Sequence, residues 1–297
     1  MTGAAPQLSI VIASVNGLPY VDHCLASLAA HAPDAEVIVA DSTDDATRAA
    51  LTERWPRVRL LCFDRPRTVP ELRAEGISAA SAPYIAVIED HCLVTQRWAE
   101  SILAAHHAGY SVVGGPVRNV EPRIRDWAAF LFEYSGHMEP SAPGATNDLT
   151  GMNVSYDRRA LAAIDDLLGE GRWEGWLHAR LVSRGFVLHR ADGAVIEHAK
   201  DFGVREFCSQ RFHYARAHAA MRNDELGPVR RAVYAAGSPL IAPLLLTRIC
   251  RNVVRRRTRL RELVLSSPLL LLYCAVTAVG EAPGYVAGDR GSLLRVR

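Results

Sequence analysis

Four short apolar runs separated by stretches of helical period constrain this chain more than any other feature. Residues 8–13 (LSIVIA), 36–40 (EVIVA), 58–63 (VRLLCF) and 84–88 (YIAVI) have strand length and are rich in apolar, largely β-branched residues. Between them, residues 20–31, 44–55 and 69–80 have helical spacing, as in Val21, Leu25, Leu28 and Ala29. Strands that alternate with helices of this length pair in parallel and are covered on both faces. The predicted fold is α/β, with a mostly parallel sheet. At 297 residues and 49% hydrophobic content, the chain fits one large α/β domain with an appendage.

In a parallel sheet the carboxyl ends of the strands lie along one edge, where open α/β sheets bind ligands. Here they carry polar residues: Ser14 and Asn16 after the first run, Asp41 after the second, and Glu89, Asp90 and His91 after the fourth. Asp41 either caps the next helix or accepts hydrogen bonds from a nucleotide. Alternation along a strand lets Glu89 and His91 converge while Asp90 faces the other way, unless the strand has already turned into loop. Two carboxylates and an imidazole suit Mg2+ or Mn2+ carrying a phosphate-bearing substrate; the alternative is a solvated acidic turn.

Several classes are excluded. There is no GxGxxG, no GxxxxGK[ST] and no HExxH, which removes a dinucleotide fold, a Walker loop and a zincin. The six cysteines are scattered without a CxxC pair, which points to a reducing compartment. The first residues lack the basic region and apolar core of a signal peptide, so a cytosolic catalytic part is expected. Arginines dominate the 34 basic residues, but no basic stripe interleaved with aromatics occurs, and no nucleic-acid partner is expected.

The order LSIVIASVN, EVIVADSTDD, Arg73-Ala-Glu-Gly76 and SAPYIAVIEDH resembles the nucleotide-sugar half of family 2 glycosyltransferases with the GT-A fold. The resemblance implies that Ser14, Asn16 and Asp41 form the nucleotide pocket, with Arg73 contacting the nucleotide. It implies a metal at Glu89, Asp90 and His91, although His91 stands where the family's Asp-x-Asp motif has a second carboxylate. TGMNVSY, residues 150–156, is similar to the family's donor-sugar strand and points to Gly151 and Asn153. RWEGWLHARLVSRG, residues 172–185, resembles its Glu-Asp...Arg-Leu-x-x-x-Gly motif, which makes Glu174 the catalytic base, where Asp is more common. His198, ending VIEH, corresponds to a late metal-ligating histidine, and Arg211 to an arginine that holds the diphosphate. The double glycine of YSVVGG, residues 110–115, is expected to admit a ligand closely, and residues 118–148 read as irregular, either an acceptor-side loop or disorder.

The composition shifts after Gly227. Residues 232–247 and 263–280 are free of charge and flank RICRNVVRRRTRLRE, with seven arginines and one acid. Over residues 204–297, sixteen arginines face six acidic residues, against a net charge of +2 for the whole chain. If both apolar runs spanned a bilayer, the arginines would draw the loop between them to the cytosol and place the enzyme outside it. The expectation is therefore a GT-A-like domain at 1–225 and a helical appendage at 226–297, lying in or dipping into the cytosolic leaflet with arginines on anionic headgroups. A buried helical hairpin or a dimer contact is the alternative.

The resemblance and the motifs together imply an inverting, Mn2+- or Mg2+-dependent glycosyltransferase. It would move a sugar from a nucleotide-diphosphate donor to a lipid or polysaccharide hydroxyl. A nucleotidyltransferase of related fold and a non-catalytic, membrane-bound nucleotide-sugar-binding module are the alternatives.

Overall fold

The computed structural model describes residues 5–296. The first half alternates as the sequence requires: β1 (Leu8–Ser14), α1 (Tyr20–His31), β2 (Glu36–Asp41), α2 (Asp45–Arg54), β3 (Arg59–Cys62), α3 (Val69–Ala79) and β4 (Tyr84–Glu89). Then follow β5 (Cys92–Val94), α4 (Trp98–His107), β6 (Val112–Gly114), β7 (Val117–Asn119), α5 (Ile124–Tyr134), β8 (Gly144–Thr146) and β9 (Asn153–Asp157). Three short helices, α6 (Arg158–Ala162), α7 (Asp165–Gly169) and α8 (Glu174–Ser183), lead to β10 (Leu188–Arg190) and β11 (Ile196–His198). The remainder is helical: α9 (Val204–Arg222), α10 (Pro228–Gly237), α11 (Ile241–Arg256) and α12 (Leu260–Ala287).

The main sheet has the order β3-β2-β1-β4-β9-β6-β10-β8. Its β3-β2-β1-β4 half is parallel, and β9 enters antiparallel between β4 and β6. The register brings functional positions together, since Ser14 pairs with Asp41, Ala13 with Glu89 and Ile88 with Asn153. A second sheet, β5-β11-β7, carries His198 next to Cys92. The start of α2 is fixed by Asp44, whose carboxylate accepts from the Thr47 amide at 2.8 Å. The start of α3 is fixed by a Thr68/Glu71 capping box with Pro70 in the first turn. Val11, Ile38, Ile85, Val87 and Val154 fill the sheet-side core with Leu177 and Leu181 of α8.

Two expectations about residues 110–148 are corrected. The segment read as irregular contains α5, most of which is buried, from Asp126 to Phe132. The double glycine does not open onto a ligand. A side chain at Gly114 would meet the Asn153 carbonyl, and one at Gly115 the Ala194 carbonyl, so both glycines serve strand packing.

The chain forms two compact units, one of residues 1–120 and 137–199, the other of 121–136 and 200–297. The division falls near residue 200 instead of 225, and α5 belongs with the helical unit. Phe132 of α5 packs edge-on against Phe207 and Tyr273, and Arg211 pairs with Glu133 at 2.7 Å. Within that unit α12 lies on α9, with Gly280 against the Phe212 backbone.

Candidate active site

Three strand ends and one helix start build the site in the first unit. After β1 the chain turns across the end of β4, and Asp90 anchors it. The Asp90 carboxylate accepts from the Val15 amide (2.9 Å), the Asn16 amide (2.7 Å) and Asn16 Nδ2 (2.6 Å), with His91 Nδ1 at 3.3 Å. Burial would raise this carboxyl, yet the His91 contact and the Asn16 donors hold it below the usual carboxylate range. Asp90 is fully buried and turned onto the β1 loop. It touches His91 on one side and the β1 loop on the other.

On the opposite side of β4 stands Arg73, a buried α3 arginine that joins two carboxylates. One guanidinium nitrogen donates to Glu89 Oε1 at 2.6 Å, another to Glu174 Oε2 at 2.9 Å, and the group lies 5.7 Å from the Trp173 ring. Although burial opposes its charge, Glu174 and Glu89 raise the Arg73 pKa above the usual arginine value. Gly151 makes this approach possible, since a Cβ there would lie 2.6 Å from both Arg73 Nη1 and Glu174 Cδ. Glu174 is the first residue of α8, where the helix dipole favours a carboxylate. Beside the pair is a cavity of about 20 Å³, lined by Arg73, Gly151, Tyr156 and Glu174 among others.

The other oxygen of Glu89 faces His91, with Oε2 and Nε2 3.4 Å apart, and the His91 ring meets His198 edge-on at 4.9 Å. Among the described residues, no group of three or more His, Cys, Asp and Glu side chains is gathered for a metal. Glu89 and His91 nevertheless form a hard oxygen-and-nitrogen pair. This fits the two-donor half-site that Mg2+ or Mn2+ uses when substrate phosphates complete its shell. The site thus runs as one line of side chains, Glu174, Arg73, Glu89, His91 and His198.

Other expected site residues are placed elsewhere. Asp41 is fully buried and accepts from the Thr43 hydroxyl (2.8 Å) and Arg48 Nε (2.9 Å), which ties down the loop after β2. Ser14 lies beside it, fully buried. Asn153 does not face a donor sugar: it accepts from Trp98 Nε1 at 2.9 Å and donates to the Ala194 and Pro116 carbonyls. Arg211 is an ion-pair partner of Glu133 in the other unit.

One feature had no sequence signal beyond spacing. Tyr156 and His178 meet under Glu174, hydroxyl to Nε2 at 3.0 Å. His178 sits four residues after Glu174 on α8, and burial keeps its pKa below the usual histidine value.

Comparison with known proteins follows the same lines. The family described as glycosyl transferase family 2 matches residues 9–164, more than half of the chain. The chain belongs to glycosyl transferase family 2. A relative of the chain is a validoxylamine A glucosyltransferase of Streptomyces hygroscopicus subsp. jinggangensis (strain 5008), 32% identical over 131 residues. That match covers 41% of this chain and 31% of the relative, so the similarity spans about a third of the relative's length. Among solved structures, the mannosyltransferase PcManGT from Pyrobaculum calidifontis, in complex with GDP-Man and Mn2+, superposes with a TM-score of 0.57 at 15% identity. It covers 94% of this chain and 87% of that one. S. aureus TarS gives 0.51 at 12% identity, with 96% and 92% covered. These likenesses support the GT-A-like α/β fold of this family 2 glycosyltransferase.

Proposed function

We propose that this glycosyltransferase moves a sugar from a nucleotide-diphosphate donor to an acceptor hydroxyl with inversion, and that Glu174 is the general base. The observation that carries the reading is the Arg73 bridge, which holds Glu174 beside Glu89, the oxygen donor of the cation half-site. The P. calidifontis mannosyltransferase, solved with GDP-Man and Mn2+, supports a nucleotide-sugar donor and a divalent cation here too. Mn2+ or Mg2+ would be held by Glu89 and His91, with His198 alongside, and when bound would neutralise charge developing on the leaving diphosphate.

The protein's own groups do the rest. Arg73 occupies one Glu174 oxygen and leaves Oε1 without a hydrogen bond among the described residues. That oxygen takes the proton of the acceptor hydroxyl as its oxygen bonds to the anomeric carbon, and the sugar–phosphate bonding pair leaves with the diphosphate. Attack from the face opposite the leaving group inverts the anomeric centre. The loop at Val15 and Asn16, pinned by Asp90, would present Asn16 to the nucleotide, and Gly151 before β9 would lie on the sugar side beside Glu174.

The acceptor reading is a lipid or polysaccharide at the cytoplasmic face of a membrane. Residues 228–256 and 260–287 are long and apolar enough to cross one, but only 11% and 44%, respectively, of their most apolar windows is buried. Exposed Val229, Val233, Leu244, Leu265 and Leu271 would lie in the leaflet, and the arginines between the helices would meet anionic headgroups. Glu174→Gln tests the base. It keeps size and hydrogen bonding, so donor affinity and melting temperature should hold while turnover falls by roughly 10² or more. Near-normal turnover in a folded Glu174→Gln protein would remove Glu174 from this role.

A further inference from the structure

A groove of about 480 Å³ opens where β2 begins, at the end of the sheet away from Glu89. Because β2 and β4 flank β1 in parallel, Glu36 at the start of β2 and Glu89 at the end of β4 lie on opposite edges. A ligand here would not compete with one at the candidate active site. The volume falls within the range of small-molecule sites, roughly 300–1,000 Å³.

The groove has an apolar floor and a cationic rim. Ala29 and Pro33, at and just after the end of α1, and Val58 before β3 line the floor with half-buried Trp55, above the fully buried Leu25 and Leu28. The indole is fixed in advance, since Trp55 Nε1 donates to Asp22 Oδ1 at 2.9 Å, and Asp22 also pairs with Arg54 at 2.9 Å. Arg54, Arg57 and Arg59 stand on the lining against one acid, Glu36. The Glu36 carboxylate accepts at Oε2 from the Ser9 hydroxyl and from the Ser81 amide and hydroxyl; burial would raise its pKa, but these bonds, with the charge of Arg59, hold it below the usual carboxylate range. Arg59 gives one N–H to the Ala79 carbonyl at 2.7 Å, and exposed Arg57 makes no hydrogen bond or ion pair among the described residues. A fixed aromatic wall, an apolar floor and exposed guanidinium groups suit a ligand with a hydrocarbon body and an acidic end.

We propose that this groove is a binding site for a single-chain anionic amphiphile, its chain on Ala29, Trp55 and Val58 and its carboxylate or phosphate head on Arg57 and Arg59. The concave form suits one molecule taken from solution and not a flat bilayer. The charge surplus on the lining disfavours a neutral ligand. Because the attraction is between charges at an open surface, binding should weaken with salt.

The probe is decanoate below its micellar concentration, titrated calorimetrically into the full chain, with 1-decanol as the neutral analogue. The site predicts saturable one-to-one binding of decanoate and at least about tenfold weaker binding of decanol. Arg57→Glu and, independently, Arg57→Gln should weaken decanoate by about tenfold, and Ala29→Trp, which fills the groove, should abolish it. Melting temperatures identify which variants are folded, and each folded one is read by itself. Unsaturable binding, equal affinity for decanol, or unchanged affinity in any folded variant would overturn the proposal. So would displacement of decanoate by phosphatidylglycerol vesicles, because the occupant would then be a bilayer surface.

Discussion

Glu89 and Glu174 lie close enough to share Arg73, and two carboxylates in a half-dry site would repel each other without the cation between them. The arrangement depends on a residue with no side chain. At Gly151 a methyl group would enter the space of Arg73 Nη1 and Glu174 Cδ, so Gly151→Ala must push the pair apart. We expect turnover to drop by roughly 10²-fold, the scale set by small misplacements of reacting groups, with only a modest fall in melting temperature. Unchanged turnover in that variant would mean the Arg73 bridge has no part in catalysis. Arg73, Glu89 and Glu174 were each legible in the sequence, but their contact was not, since Glu174 is 101 positions from Arg73. Alternation along β4 was a better guide to Asp90 than its place in an acidic motif, because it allowed Asp90 to turn onto the β1 loop, where it still touches His91. Nothing in the sequence marked Asn153 for Trp98, because hydrogen bonds across a sheet leave no local pattern.

At the scale of elements, the strands and helices of residues 8–89 were readable because each has one period and one buried side. Helix α5 was not. Trp127, Ala128, Ala129, Phe130, Leu131 and Phe132 are all buried, so no polar stripe marks the turn of the helix. The three-residue strands of the second sheet are likewise too short to show alternation. Buried α5 also carries a testable titration. Desolvation, and then the neighbouring charge of Asp201, push the Asp126 carboxyl up to about 6. At this group, between about pH 4 and 6, the folded state binds more proton than the unfolded one, so its contribution to stability falls as pH rises through that window. Asp126→Asn removes that contribution. Its melting temperature should gain on the parent above pH 6, and the difference should close below pH 4. Parallel melting curves across that range would show that Asp126 ionises normally in the fold.

Across the whole molecule, charge and apolarity are segregated. The arginine-rich stretch lies between two apolar helical regions, and Arg251, Arg255 and Arg257 are exposed. Each basic residue near an anionic surface contributes about 1 kcal/mol. Replacing these three by Glu in the full chain should weaken partitioning onto phosphatidylglycerol vesicles by roughly 10²-fold or more. Binding by the parent should also weaken with salt. Partitioning that ignores both changes would assign the exposed apolar helices to protein contact. The central claim, transfer of sugar with release of nucleoside diphosphate, is tested most directly with a doubly labelled donor. The full chain is incubated with Mn2+, lipid and polysaccharide acceptors, and nucleotide-diphosphate sugars carrying one isotope in the sugar and another in the nucleotide. The account predicts the sugar isotope in the acceptor and the nucleotide isotope in free nucleoside diphosphate. Nucleotide isotope in the acceptor, or donor binding with neither isotope transferred, would contradict it.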